Sequence, residues 1–113
     1  MEPECRNISK TILPAVRASV SEILDKEYRY RQKEIAEKIG VVQVAVSKYL
    51  NSRYSAEIGR LREHVLKNGL ARGIVSKIVE GRPTEEISFE IDRVCGSIAA
   101  EGKEGLVSGA GSV

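Results

Sequence analysis

The chain is poor in aromatic residues, cysteine and histidine. Its 113 residues include no Trp, one Phe, four Tyr, two Cys and one His. Few β-branched or aromatic residues alternate with polar ones, which disfavours an all-β fold. Structural zinc generally requires four Cys or His ligands, so Cys5, Cys95 and His64 do not make a zinc site by themselves. We therefore expect no bound metal and no cofactor.

Long apolar runs and enzyme motifs are missing as well. No stretch approaches the ~18 apolar residues of a transmembrane helix, and no apolar run behind a basic start resembles a signal peptide. The sequence has no glycine-rich phosphate loop, nucleophile elbow or pair of metal-binding carboxylates. His64 lies on the polar side of a helical segment and is interpreted as solvated or locally hydrogen-bonded. These absences predict a cytoplasmic protein without a membrane partner that is not an enzyme.

Two states are open for the cysteines. Cys5 and Cys95 form a disulfide if the last helix packs beside the first. Otherwise they are reduced, partly buried thiols, which is the usual state of intracellular cysteines outside hyperthermophiles.

Charge is distributed unevenly along the chain. The formal net charge is only +2. It divides into zero for residues 1–30, +3 for residues 31–53, +3 for residues 54–82 and −4 for residues 83–113. A basic middle followed by an acidic end is typical of a protein with one surface that meets a polyanion. Charges scattered over solvated helix faces are the alternative explanation.

Apolar residues recur at helical spacing through most of the chain. Five segments are predicted to be helical: residues 10–28, 32–39, 43–50, 56–79 and a last one after Pro83. The regular part of the first helix is expected to begin near Leu13, because Pro14 fits a first turn. A kink or break is expected in the fourth segment at Asn68, Gly69 and Gly73. The predicted fold is all-α, a small bundle of about five helices.

Residues 32–50 have the spacing of two helices joined by a tight turn. Small Ala36 allows the two helices to cross closely, and Gly40 tolerates the left-handed backbone that ends the first of them. Val41 and Val46 are expected to fill the wedge between the helices. The pattern predicts a helix-turn-helix.

The outer face of the second of these helices carries side chains suited to reading DNA. Amide, methyl, hydroxyl and ammonium groups contact base edges and phosphates in the major groove. Four residues are expected to read bases: Gln43, Val44, Ser47 and Lys48. Five residues on or around this face are expected to contact the phosphate backbone: Arg31, Lys33, Asn51, Arg53 and Tyr54. A plain helical hairpin with a solvated polar face is the alternative interpretation.

Together these residues resemble the Cro/lambda-repressor-type (Xre) helix-turn-helix family. The matching pattern is Gln32-x-x-x-Ala36-x-x-x-Gly40-Val41-x-Gln43-x-x-Val46-Ser47-x-Tyr49-Leu50. The beginning of the chain is similar to that of a group of predicted archaeal transcriptional regulators, in Pro3-Glu4-Cys5 and Ile12-Leu13-Pro14-Ala15-Val16-Arg17. The resemblance covers roughly residues 3–54. It implies a lambda-repressor-like fold in which Gln32 clamps a phosphate and braces Gln43, and residues 43, 44, 47 and 48 face bases.

The sequence departs from the family pattern at three positions. Arg31 and Val42 stand where the family often has Ser or Thr before each helix, so two caps of about 1 kcal/mol each are lost. This leaves the sequence preference of the site open. Ile98 stands where members of the archaeal group often have a second Cys, three residues after Cys95, so no metal or redox site is implied.

The expected organisation is a helix-turn-helix DNA-binding region over residues 1–55, C-terminal helices over 56–101 and a flexible tail over 102–113. The expected function is that of a sequence-specific DNA-binding transcriptional regulator, with helix 43–50 in the major groove of double-stranded DNA. Apolar residues after residue 55 build a homodimer interface or complete a monomeric core. The alternative functions are a protein-interaction module of antitoxin or adaptor type, and non-specific architectural DNA binding.

Overall fold

The chain is all-helical in the computed structural model, which describes the backbone of residues 8–112 and the side chains of residues 10–101. A π-helical turn, Ile8–Ile12, leads into six α-helices. They are α1 (Leu13–Tyr28), α2 (Gln32–Ile39), α3 (Gln43–Leu50), α4 (Ala56–Lys67), α5 (Arg72–Val79) and α6 (Thr84–Ser112). The described residues contain no strand, which confirms the all-α prediction.

The first three helices lie where the sequence places them, and the fourth predicted segment is divided at the break that the sequence predicts. α1 begins at Leu13 with Pro14 in its first turn. The segment 56–79 is two helices, α4 and α5, because Gly69 adopts a left-handed φ of 65°. The Leu70 N–H then donates to the Val65 carbonyl at 3.0 Å, which ends α4. The bundle therefore has six α-helices rather than about five.

The last helix continues beyond the predicted start of the tail. α6 runs from Thr84 through Ser112, whereas the sequence predicts a flexible tail from residue 102. The side chains after Glu101 lie outside the described residues, and so does Cys5. The tail and the disulfide alternative therefore stay predictions.

The first five α-helices all end in the same way. Each is followed by a residue with positive φ: Arg29 (61°), Gly40 (72°), Ser52 (57°), Gly69 (65°) and Gly81 (80°). In each case the next residue donates its N–H to the carbonyl five positions earlier in the helix, at 2.8 to 3.0 Å, or six positions earlier at the end of α1. These bonds satisfy carbonyls that would otherwise be left without a partner. Successive helices are connected by only three to five residues.

α1 is the central helix of the bundle. It contacts each of the other five α-helices. Val16, Val20 and Leu24 on α1 are fully buried, and the buried Ser19 hydroxyl donates to the Ala15 carbonyl at 2.8 Å. The core is completed by fully or almost fully buried side chains from the surrounding helices: Ile35, Val46, Val65, Ile74, Ile78, Ile87 and Ile91. α2 and α3 are therefore held by α1 as well as by each other.

Candidate nucleic-acid interface

α2 and α3 pack against each other across the short connection formed by residues 40–42. Ile35 and Ala36 are buried on the inner side of α2, and Val46 is fully buried on the inner side of α3. Gly40 has a φ of 72°, and the Val41 N–H donates to the Ala36 carbonyl at 3.0 Å. Val41 packs on the same core. These five residues take the inward and turn positions that the sequence assigns to them.

The predicted base-reading residues share the solvent-facing side of α3. Gln43 and Lys48 are exposed, and Val44 is 64% exposed. Ser47 is half-buried. Ser47 follows Gln43 by about one helical turn, and Lys48 follows Val44 by the same distance. An amide, a branched apolar side chain, a hydroxyl and an ammonium therefore form one outward strip. We call Gln43, Val44, Ser47 and Lys48 the α3 strip.

Asn51 closes the C-terminal end of the α3 strip. It is the C-cap residue of α3, and its backbone N–H donates to the Ser47 carbonyl at 3.0 Å. Its side-chain Nδ2 donates to the same carbonyl at 2.8 Å and lies 3.4 Å from the Ser47 Oγ. These bonds hold the Asn51 amide and the Ser47 hydroxyl in a fixed relation, so they present their polar atoms as one unit.

The start of α2 places three of the predicted phosphate-contacting residues side by side. Arg31 and Lys33 are exposed, and Gln32 is half-buried. Arg31 is the N-cap residue, and its backbone N–H donates to the Glu34 Oε1 at 3.2 Å, which is one half of a capping box. The bond that a Ser or Thr at this position would accept from the first turn is not replaced. No hydrogen bond joins Gln32 to Gln43 among the described residues, so the bracing that the resemblance implies is not formed here.

Arg53 and Tyr54 lie in the turn after α3, in different surroundings. The Arg53 N–H donates to the Lys48 carbonyl at 2.8 Å, and the Arg53 side chain is exposed. Tyr54 is half-buried and lies close to Gly59 of α4. The Tyr54 Cε1 lies 3.6 Å from the position that a Cβ on Gly59 would occupy. Arg53 is therefore available beside the α3 strip, while the Tyr54 ring also packs against α4.

Val42 is a surface residue to which the sequence assigns no role beyond a missing cap. It is the N-cap residue of α3, with an extended backbone, no side-chain cap bond and a side chain that is 70% exposed. Val42 and Val44 flank Gln43 at the end of the α3 strip. The sequence assigns Val41 to the core, but it contains no signal for how much of the Val42 side chain is exposed.

The basic side chains around α2 and α3 are not neutralised by neighbours. Seven Lys and Arg lie between residues 29 and 60: Arg29, Arg31, Lys33, Lys38, Lys48, Arg53 and Arg60. None of them belongs to an ion pair of the described residues. The same segment contains only three acidic residues, Glu34, Glu37 and Glu57. This segment consequently carries an uncompensated positive charge.

Most of the described cations that follow residue 60 belong to ion pairs, and three of these pairs join different helices. Arg62 Nη1 lies 2.7 Å from Glu22 Oε1, and Arg72 Nη1 lies 2.8 Å from Glu27 Oε1. The hydrogen bonds from Arg72 hold the pKa of the Glu27 carboxyl below its usual value. Further pairs join Lys77 and Arg82 to Glu86, and Arg93 to Glu90. Free positive charge is thus concentrated in the segment that contains α2 and α3.

Comparisons with known proteins leave this geometry as the basis for inferring a function. No family model, curated protein or solved structure matches the chain. Within residues 10–101, no group of three or more His, Cys, Asp or Glu side chains is placed to hold a metal ion. None of the described helices is long and apolar enough to cross a membrane.

Proposed function

We propose that this chain is a sequence-specific, DNA-binding transcriptional regulator in which α2 and α3 form a helix-turn-helix. In this proposal α3 lies in the major groove of double-stranded DNA, and the protein acts in the cytoplasm. The observation that carries it is the coincidence, in one segment, of the outward α3 strip and the seven unpaired cations of residues 29–60. Duplex DNA is the partner whose surface combines hydrogen-bonding base edges with a dense row of negative charges.

The α3 strip matches the chemistry of the major groove. The Gln43 amide can accept from N6 and donate to N7 of an adenine, and Lys48 can donate to the O6 and N7 acceptors of a guanine. Val44 offers methyl groups to the 5-methyl group of a thymine. Each such contact discriminates against a wrong base by about 1–3 kcal/mol. The strip therefore supplies sequence preference.

The residues around the strip match the phosphate backbone. Arg31 and Lys33 at the start of α2 and Arg53 after α3 are exposed and unpaired among the described residues. Gln32 at the start of α2 and Asn51 at the end of α3 add amide groups. Because such contacts release condensed counterions, they give affinity that falls as salt rises and that does not depend on sequence. They also fix the register in which α3 enters the groove.

Selection of bound sequences from a random duplex pool tests the proposal. We expect one sequence to be enriched, and the triple variant Gln43→Ala, Ser47→Ala, Lys48→Ala to lose preference for it. A matched control changes an exposed lysine and an exposed serine on other helices, Lys67→Ala and Ser76→Ala, and should retain the preference. Unchanged recognition of the selected sequence by the triple variant would refute the role of α3.

A fluorescence titration with random duplex DNA at two salt concentrations separates this proposal from the alternatives. A protein-interaction module would bind no duplex even at low salt. An architectural DNA-binding protein would bind with salt-sensitive affinity but with the same affinity for every sequence. The proposed regulator binds random duplex weakly and its selected sequence more tightly at the same salt concentration.

A further inference from the structure

The outward face of α6 carries a large aromatic side chain that the monomer does not use. Phe89, the only Phe of the chain, is 69% exposed. The opposite side of α6 is the one that enters the core, through Ile87, Ile91, Val94 and Ile98. Phe89 therefore takes no part in the core of the described residues.

Four residues define this outward face: Phe89, Asp92, Arg93 and Gly96. All four are exposed, and at about 100° of rotation per residue they follow one another along the helix surface. A Cβ placed on Gly96 would meet no atom within 4 Å, so the surface above this residue is open. We call these four residues the α6 outer face.

The α6 outer face is complementary to itself when two copies run antiparallel. A two-fold axis between positions 92 and 93 puts Phe89 of one copy opposite Gly96 of the other. The same axis puts Asp92 of each copy opposite Arg93 of the other. At each end of the contact, a large side chain then faces a position without a side chain. Next to the axis, opposite charges face each other. Self-complementarity of this kind defines a symmetric dimer interface.

We propose that two copies of this chain pair through the α6 outer face as an antiparallel helix pair. Phe89 fills the open surface above Gly96, in the manner of a knob packed into a hole. Arg93 hydrogen-bonds to Glu90 of its own helix, and its guanidinium has five N–H donors, so a donor is left for Asp92 of the other copy. The crossed pairs also offset the repulsion between two acidic segments, since residues 83–113 carry −4 in each copy.

This pairing does not depend on the proposed function. None of the four residues belongs to the α3 strip or to the unpaired cations of residues 29–60. Sedimentation equilibrium without DNA measures the pairing alone, so its failure and the failure of DNA binding are distinguishable. If the protein also binds DNA as proposed, a dimer with two copies of α3 would match two half-sites on the duplex.

Complementary charge reversals provide the sharpest test. Asp92→Arg alone puts Arg opposite Arg in a dimer, and Arg93→Asp alone puts Asp opposite Asp. An equal mixture of the two variants restores an opposite charge at both crossed positions. We expect each variant alone to dimerise about tenfold or more weakly than the parent chain, and the mixture to recover the parent association. Unchanged association of each variant, or no recovery on mixing, would overturn the proposal.

Two further variants test the dimer interface without reversing a charge, in case a charge reversal prevents folding. Gly96→Leu fills the open surface, so it should weaken the dimer about tenfold while raising the Tm of the monomer, because Leu favours a helix more than Gly. Phe89→Ser should also give monomers, whereas Val79→Ser, an exposed valine on α5, should leave association unchanged. A parent chain that sediments as a monomer at every concentration would end the proposal.

Discussion

If the protein binds DNA as proposed, the unpaired cations set the salt dependence of binding. Four of them are exposed at the start of α2, on α3 or directly after α3: Arg31, Lys33, Lys48 and Arg53. If each neutralises one phosphate, the logarithm of the binding constant falls against the logarithm of salt concentration with a slope of about −3.6 per protein copy. Affinity then falls about 150-fold between about 50 and 200 mM monovalent salt.

Removing one of these cations should change the slope by a defined amount. Arg53→Ala is expected to make the slope of the binding constant against salt concentration shallower by about 0.9, because the variant contacts one phosphate fewer and releases one counterion fewer. The matched control is Arg72→Ala, which causes the same change in net charge. Arg72 is held by Glu27 at 2.8 Å, and its hydrogen bonds lower the pKa of that carboxyl, so its charge is already compensated. The Arg72→Ala slope should equal that of the parent chain.

Fluorescence anisotropy of a labelled duplex, titrated at several potassium chloride concentrations, measures these slopes. Equal slopes for the Arg53→Ala and Arg72→Ala variants would show that net charge alone, and not the placement of unpaired cations, governs binding. A parent slope close to zero would contradict contact with phosphates altogether. Either result would refute the reasoning from ion pairing.

Three other predictions concern the fold. Leu24→Ala on the fully buried side of α1 should lower the free energy of unfolding by about 3 kcal/mol in urea titration, whereas Val44→Ala on the exposed α3 strip should leave it almost unchanged. Ser52→Gly should raise stability by about 0.5 kcal/mol, since Ser52 has a φ of 57° that glycine adopts without strain; a lower Tm would contradict this. Burial, with a smaller contribution from the negative charge of Asp92, raises the pKa of the Cys95 thiol to about 11. In a Cys5→Ser variant, Cys95 should therefore resist iodoacetamide at neutral pH until the protein is unfolded, and rapid labelling of the native protein would show that it is accessible.

The helices that carry the candidate site were predictable because their boundaries are local. Pro14 restricts the start of α1, and Gly40 takes the left-handed conformation that ends α2. The apolar period then assigns Ile35 and Val46 to the inner side without knowledge of any distant residue. The sequence predicts a kink or break at Gly69. Because the apolar period continues through this position, it does not show that two separate helices form.

The exposure of Val42 could not be predicted from the sequence, although the inward position of Val41 was. Both residues are apolar and β-branched, and both follow the turn glycine. Val41 packs on the core, as the helix-turn-helix pattern predicts, while Val42 is 70% exposed. How far Val42 is covered depends on where neighbouring helices lie, and periodicity over three connecting residues does not contain that information.

Local sequence patterns specify the all-helical class, the ends of the first three helices, the outward residues of α3 and the basic character of the middle of the chain. Which of the basic residues are free depends on how the helices pack. Arg62 meets Glu22 and Arg72 meets Glu27, partners that are 40 and 45 residues away along the chain. Ion pairs of this range form because helix packing brings distant side chains together, which no local pattern specifies. Packing thus pairs Arg62 and Arg72 with distant carboxylates and leaves the cations of residues 29–60 without such partners among the described residues.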